Sequence, residues 1–202
     1  NNGTSSQPDV NLNAGESFAI AVQGPNNANR DALIGALISS NKPIAVNCGS
    51  FAGSNANSNN LDLGFDQIVS VERTGNEYIF IKGNGFDITE KPFIIAHEDN
   101  TEVFINGNAT PVTTLNHGDY YVLDGTAFST NNNLYIRSSK NVFAYQAIGS
   151  LDPGGSPSLA NQNLHFLPPL SCQTPRTINN IPLINEVGGI TDFIGTVCLV
   201  TK

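Results

Sequence analysis

The densest run of ionisable side chains in the chain is His97-Glu98-Asp99. Imidazole and carboxylate together are the donors of a transition-metal site, and His117 could complete such a set. The spacing matches no established ligand pattern, so the run reads first as a solvated turn between strands at 93–97 and 101–105. A second run, Asn55-Ala56-Asn57-Ser58-Asn59-Asn60-Leu61-Asp62, alternates side-chain oxygens in the manner of a calcium loop. Calcium sites draw on several carboxylates. Asp62 supplies only one, which makes it a weak calcium candidate, and no other metal or cofactor is expected. The chain contains no Gly-x-Ser-x-Gly elbow and no phosphate-cradling glycine loop, and its three histidines stand in no nucleophile context. No catalytic residue is assigned, and the chain is expected not to be an enzyme. Carboxylates distant in sequence can meet across a sugar cleft, so a carbohydrate-active enzyme, or its accessory glycan-binding domain, is the alternative. The absence of Trp, a favoured sugar-stacking surface, weighs against it.

The cysteines are Cys48, Cys172 and Cys198, with no Cys-x-x-Cys pair to suggest a zinc ribbon or a redox motif. Cys172 and Cys198 are the preferred disulfide in an oxidising compartment, because both fall in the second half of the chain. Three buried free thiols are the other reading. Asn2-Gly3-Thr4 and Asn108-Ala109-Thr110 match glycosylation acceptors, which matter only in a eukaryotic source.

Composition narrows the partners. Charged residues make up 13% of the 202 residues, the net charge is -8, and Lys and Arg total 9. So few scattered cations suit neither phosphate backbones nor anionic membranes. Nucleic acid is therefore not an expected partner. No run of about 20 apolar residues is present, so no membrane insertion is expected. Asn-rich, weakly charged sequence is common in secreted β-proteins, and the chain opens on Asn1-Asn2-Gly3 rather than Met. The expectation is an extracellular or cell-surface protein, processed or cut from a longer one, with residues 1–9 as a linker or frayed end.

The elements that would carry these residues are strands. Short runs rich in β-branched and aromatic residues occur at 18–22, 43–48, 67–71, 77–82, 93–97, 101–105, 112–115, 120–123, 133–136, 142–148, 181–184 and 195–201. Asn106-Gly107, directly after Thr101-Glu102-Val103-Phe104-Ile105, is the strongest short-range hairpin signal. Lys82-Gly83-Asn84-Gly85 is a second turn. Residues 29–39 have some helical spacing, but Gly35 is central and strand is preferred, with one helical turn as the alternative.

The strands repeat. Leu12-Asn13-Ala14-Gly15-Glu16 matches Leu115-Asn116-His117-Gly118-Asp119 at an offset of 103. Lys42-Pro43-Ile44-Ala45-Val46 matches Lys140-Asn141-Val142-Phe143-Ala144 at an offset of 98. An Asn/Gly/Ser-rich loop follows in each copy, at 49–60 and 149–163. Leu63-Gly64-Phe65-Asp66 then aligns with Asn163-Leu164-His165-Phe166, and Arg73-Thr74 with Arg176-Thr177. Two units result, 10–114 and 115–202, and the expectation is that the second is cut from a longer array of neighbouring copies. The expected fold is all-β and mainly antiparallel, as two pseudo-repeated β-sandwich-like halves, with a propeller-like arrangement as the alternative.

Asn100-Thr101-Glu102-Val103-Phe104-Ile105, Leu115-Asn116-His117-Gly118-Asp119, Ser139-Lys140-Asn141-Val142-Phe143-Ala144 and Leu167-Pro168-Pro169 resemble the pattern of the N-terminal IgGFc-binding-protein domain family. Such domains occur in an animal mucin-associated protein and in large bacterial surface proteins of the Bacteroidetes type. The resemblance spans most of residues 10–202. It departs at Asn141, where the first copy has Pro43, and at Leu-Pro-Pro, which only the second copy carries. It implies a secreted or surface-displayed binding or adhesion module of a larger protein. The partner would be a protein or glycan on another surface, contacted by inter-strand loops at 49–60, 125–132 and 149–163. A structural spacer in a stalk or filament is the remaining alternative.

Overall fold

The computed structural model describes residues 8–22, 31–56, 61–83, 85–149, 162–171 and 177. Cys172, Cys198 and the expected strands at 181–184 and 195–201 lie outside the described residues, as does most of the 149–163 loop. Everything described is all-β and antiparallel, without an α-helix. In chain order the strands are β1 Val46–Gly53, β2 Asp62–Ile68, β3 Gly75–Ile81, β4 Lys91–Ala96, β5 Thr101–Ile105, β6 Thr113–Leu115, β7 Tyr120–Val122, β8 Asn133–Ile148 and β9 Asn163–Phe166.

β1 and β2 form a two-stranded ribbon, and the other strands form one seven-stranded sheet. A propeller would need several separate blades, and no such set of sheets occurs among the described residues. Strands from both sequence units share the large sheet, because β3 to β5 precede residue 114 and β7 to β9 follow it. The boundary between the units falls inside β6.

The sheet is organised on β8. Its first half pairs with β3 on one edge and β5 on the other, with Ile136 opposite both Tyr78 and Ile105. Its second half pairs with β9 and β4, with Tyr145 opposite both Phe166 and Phe93. The two halves fold over one another. Ile81 pairs with Asn133 at the start of β8, while the Gln146 side chain near its end donates to the Ile81 carbonyl at 2.9 Å. Between the halves lies the core: Tyr78, Phe80, Ile94, Ala96, Val103, Leu115, Leu134, Ile136, Val142 and Ala144. Burying each of the larger side chains stabilises the fold by about 1.5–3 kcal/mol.

Arg137-Ser138-Ser139-Lys140 was expected to separate two strands at 133–136 and 142–148, yet β8 is continuous through it. Even-numbered side chains at 134, 136, 138, 142, 144 and 146 are all buried, so the period of two survives the corner. Ser138 fits there because its hydroxyl donates to the Lys140 carbonyl at 2.7 Å. The Asn106-Gly107 turn forms, with φ of 50° and 77° and an Asn108 N–H to Ile105 C=O bond of 3.0 Å. Strand pairing resumes only at Val103 and Thr113, so the connection is longer than a two-residue hairpin.

Three expected strands differ. Residues 18–22 form no ladder, and Phe18 and Ile20 are exposed. An apolar run without a partner strand has nowhere to send its backbone hydrogen bonds. Residues 31–35 form a turn rather than a strand, with Asp31 accepting from the Tyr120 hydroxyl at 2.5 Å. β1 starts at Val46 and runs to Gly53, through the first part of the stretch read as a loop at 49–60.

Tyr78 sits where the β3–β8 register shifts between Gly75 and Glu77. Its hydroxyl accepts from the Gly75 N–H at 2.8 Å and donates to the Val142 carbonyl at 2.6 Å. Burial pushes the phenol up to about 12, so it stays protonated as the donor. Tyr78→Phe leaves two backbone groups unsatisfied and is predicted to cost on the order of 1–3 kcal/mol. The urea midpoint should fall with an unchanged slope; an unchanged midpoint would show the hydroxyl to be idle.

Candidate binding surface

The chain from β3 to β4 turns around one carboxylate. Glu90 is fully buried, and its oxygens accept from the Gly83 N–H at 3.1 Å and the Gly85 N–H at 3.0 Å. Gln146 Nε2 adds a third donor at 3.2 Å. A Cβ on Gly83 would lie 2.9 Å from Glu90 Oε1, and one on Gly85 would collide with it. Small residues therefore stand where the carboxylate occupies the space. Thr89, also buried, donates its N–H and its hydroxyl to the Phe86 carbonyl, both at 2.9 Å. The loop is thus held from inside while its apolar side chains face out: Phe86 is 40% exposed and Ile88 41%.

Two further loops lock onto this one. The Gly125 N–H donates to the Asp87 carbonyl at 2.7 Å, and a Cβ at 125 would collide with Asp87. The Asp124 carboxylate accepts from the Thr126 hydroxyl and N–H, and these bonds hold it below the usual carboxylate range. Asn106 Nδ2 donates to the Ala127 carbonyl at 3.2 Å, and the Lys82 N–H to the Asn132 carbonyl at 2.8 Å. Lys82 and Asp87 form an ion pair. Loops 82–90, 105–112 and 123–132 therefore gather at one end of the folded sheet. β8 finishes at the same end, where Asn55 Nδ2 donates to the Ile148 carbonyl at 3.0 Å.

The opposite end holds the histidine run. His97 and His117 come together with ring centroids 5.6 Å apart, but His117 Nδ1 lies 2.5 Å from the His97 carbonyl. Asp99 accepts from the His117 N–H at 2.9 Å, and Lys140 Nζ donates to the Asp99 carbonyl at 2.8 Å. These groups fix the 97–100 turn between β4 and β5. Among the described residues no three His, Cys, Asp or Glu side chains gather as a set that could hold a metal ion. Asp62 opens β2, with its carboxylate accepting from the Leu63 N–H at 2.7 Å. Its neighbours 57–60 lie outside the described residues. Cys48 is exposed and free.

Sequence reasoning passed over Glu90, Phe86 and Ile88. The available signal was Gly83-x-Gly85 followed by an acid, a loop whose amides point at one spot.

The family model described as IgGFc binding protein matches residues 1–189. The chain belongs to that family. No curated protein and no solved structure matches it. Within this IgGFc-binding domain the family match covers every described strand, from β1 to β9. No helix among the described residues is long and apolar enough to cross a membrane.

His165 completes the setting of Glu90, since it pairs with Gln146 across β8 and β9. Burial lowers its pKa below the usual 6.5, against the upward pull of the Asp66 and Glu90 carboxylates. Folding thus favours the neutral ring. Its contribution is complete above pH 6.5 and is lost as the pH falls through the lowered folded value. His165→Gln should flatten the fall in melting temperature below pH 6.5; an equally steep fall in the variant would place the titration elsewhere.

Proposed function

We propose that this domain is a non-catalytic, extracellular, surface-displayed binding module that holds a protein partner through the loop end of the sheet. The observation that carries the reading is Phe86 and Ile88, exposed on a loop that a buried carboxylate fixes from beneath. Apolar side chains on a mobile loop would lose much of their binding energy to ordering, and a preformed loop avoids that cost. Aromatic anchors surrounded by polar residues are the usual centre of a protein interface. Exposed Asp87, next to both, and exposed Thr126, held close by the Gly125–Asp87 hydrogen bond, supply polar neighbours. Contacts of this kind need no cofactor, and calcium is not part of the proposal.

The family name makes the Fc fragment of IgG one natural probe, to be run beside a panel of extracellular glycoproteins and a glycan array. The double variant Phe86→Asp, Ile88→Asp is predicted to weaken the partner selected by that screen at least about tenfold, equivalent to about 1.4 kcal/mol. Its melting temperature should fall far less than a core substitution would lower it, because both side chains are already about two-fifths exposed. Removing calcium with a chelator should change nothing. Undiminished binding by the double variant would sink the loop-end reading, and selective capture of a free glycan would favour the accessory sugar-binding alternative.

A further inference from the structure

The repeat is visible in three dimensions, and among the described residues its two copies have different strand neighbours. In the turn at 12–16, Gly15 has φ of 86°, the Asn13 N–H donates to Glu16 Oε2 at 2.8 Å, and the Glu16 N–H returns to the Asn13 carbonyl at 3.1 Å. In the turn at 115–119, Gly118 has φ of 80°, the Asn116 N–H donates to Asp119 Oδ2 at 2.9 Å, and the Asp119 N–H returns to the Asn116 carbonyl at 2.9 Å. The hairpins correspond too. Ile44-Ala45-Val46 aligns with Val142-Phe143-Ala144, and β1 folds back on β2 as β8 does on β9. The two hairpins also meet, with the Phe166 N–H donating to the Asp66 carboxylate and Gln162 Nε2 to the Asp62 carbonyl at 3.3 Å.

Their surroundings differ. β8 carries β9 and β3 on one edge and β4 and β5 on the other. β1 carries β2 on one edge, and no strand among the described residues pairs with the other. Exposure follows. Tyr145, Gln146 and Ala147 are buried on β8, whereas their counterparts Asn47, Cys48 and Gly49 are exposed, and Phe51 further along β1 is 81% exposed. An open strand edge beside exposed apolar side chains is a template for one more strand.

We propose that the edge of β1 left unpaired among the described residues accepts a β4-type strand from another copy of this repeat unit, adding to the ribbon by antiparallel β-augmentation. Two observations choose this occupant. The first is the internal template: the edge of β8 that corresponds to the free edge of β1 is the one filled by β4. The second is that strands already cross between units here. β3 follows Arg73-Thr74 and so belongs to the first sequence copy, yet it pairs with β8 of the second. Units that exchange their closing strands interlock along a chain or between chains. The β1 edge is then a module-to-module joint, separate from the loop end and independent of what that end binds.

The template also sets the register. Cys48 aligns with Gln146, and Gln146 lies opposite Pro92 on β4. Successive side chains on a strand point to opposite faces. The test uses the intact chain and synthetic peptides of residues 91–105. Each peptide carries a single cysteine in place of residue 92, 93, 94 or 95, activated as a thiopyridyl mixed disulfide. The Cys48 thiolate attacks the activated sulfur, the peptide disulfide forms and thiopyridone leaves. Trapping at Cys48, located by peptide mass mapping, should be fastest for Pro92→Cys. It should run at least about tenfold ahead of Phe93→Cys and Ile95→Cys, because docking raises the effective concentration only on the matching face. The Cys48→Ser chain should lose that product. Equal rates at all four positions, or rates no faster than for a scrambled peptide, would overturn the proposal.

Discussion

A strand of 16 residues presents backbone N–H and C=O groups along both edges. Each one left buried without a partner costs about 1–3 kcal/mol. β8 meets that requirement only because four strands line it: β9 and β3 on one side, β4 and β5 with the turn between them on the other. The corner near Ser138 then turns one ribbon into two facing layers, and the core fills the space between them. β6 and β7 follow as satellites of β5 and β4. Remove the pairing of β8 and no second layer remains to bury Tyr78, Phe80, Leu134 or Ile136.

Folding the sheet on β8 brings its two ends together, which is what creates the loop end. Gln146, near the end of β8, reaches Ile81 opposite its start and touches Glu90 on the way. That carboxylate has three N–H donors and no water-exposed surface, so it works as an internal peg for the 82–90 loop. Phe86 and Ile88 owe their fixed, outward position to it. The line from function back to sequence runs from two exposed apolar residues, through a buried acid, to the bent strand that carries its amide partner.

Much of this was readable before any coordinates. The β class, the strands at 77–82, 93–97, 101–105 and 120–123, and the Asn106-Gly107 turn follow from local rules: alternation, β-branching and tolerance of positive φ. The continuity of β8 did not follow, because Ser138 and Ser139 look like loop residues until tertiary packing supplies Ser138 with an acceptor. Residues 18–22 misled in the opposite sense, since alternation marks a potential strand but cannot supply its neighbour. Glu90 was invisible because its donors are spread over Gly83, Gly85 and Gln146, and sequence distance conceals that convergence. The histidine run was readable as a turn, and the structure shows its polar groups occupied in holding that turn.

The repeat acquires a different meaning once β3 is placed. Sequence assigns β3 to the first copy, while hydrogen bonding assigns it to the sheet of the second. The cooperative body is then β3 to β9, with the β1–β2 ribbon docked against it. Native-state hydrogen exchange on the intact chain tests this most directly. Amides of Gly75–Ile81 should share the slow exchange of Asn133–Ile148, opening only with global unfolding, while Val46–Gly53 exchanges earlier. Exchange of Gly75–Ile81 together with Val46–Gly53, with β8 still protected, would contradict the account.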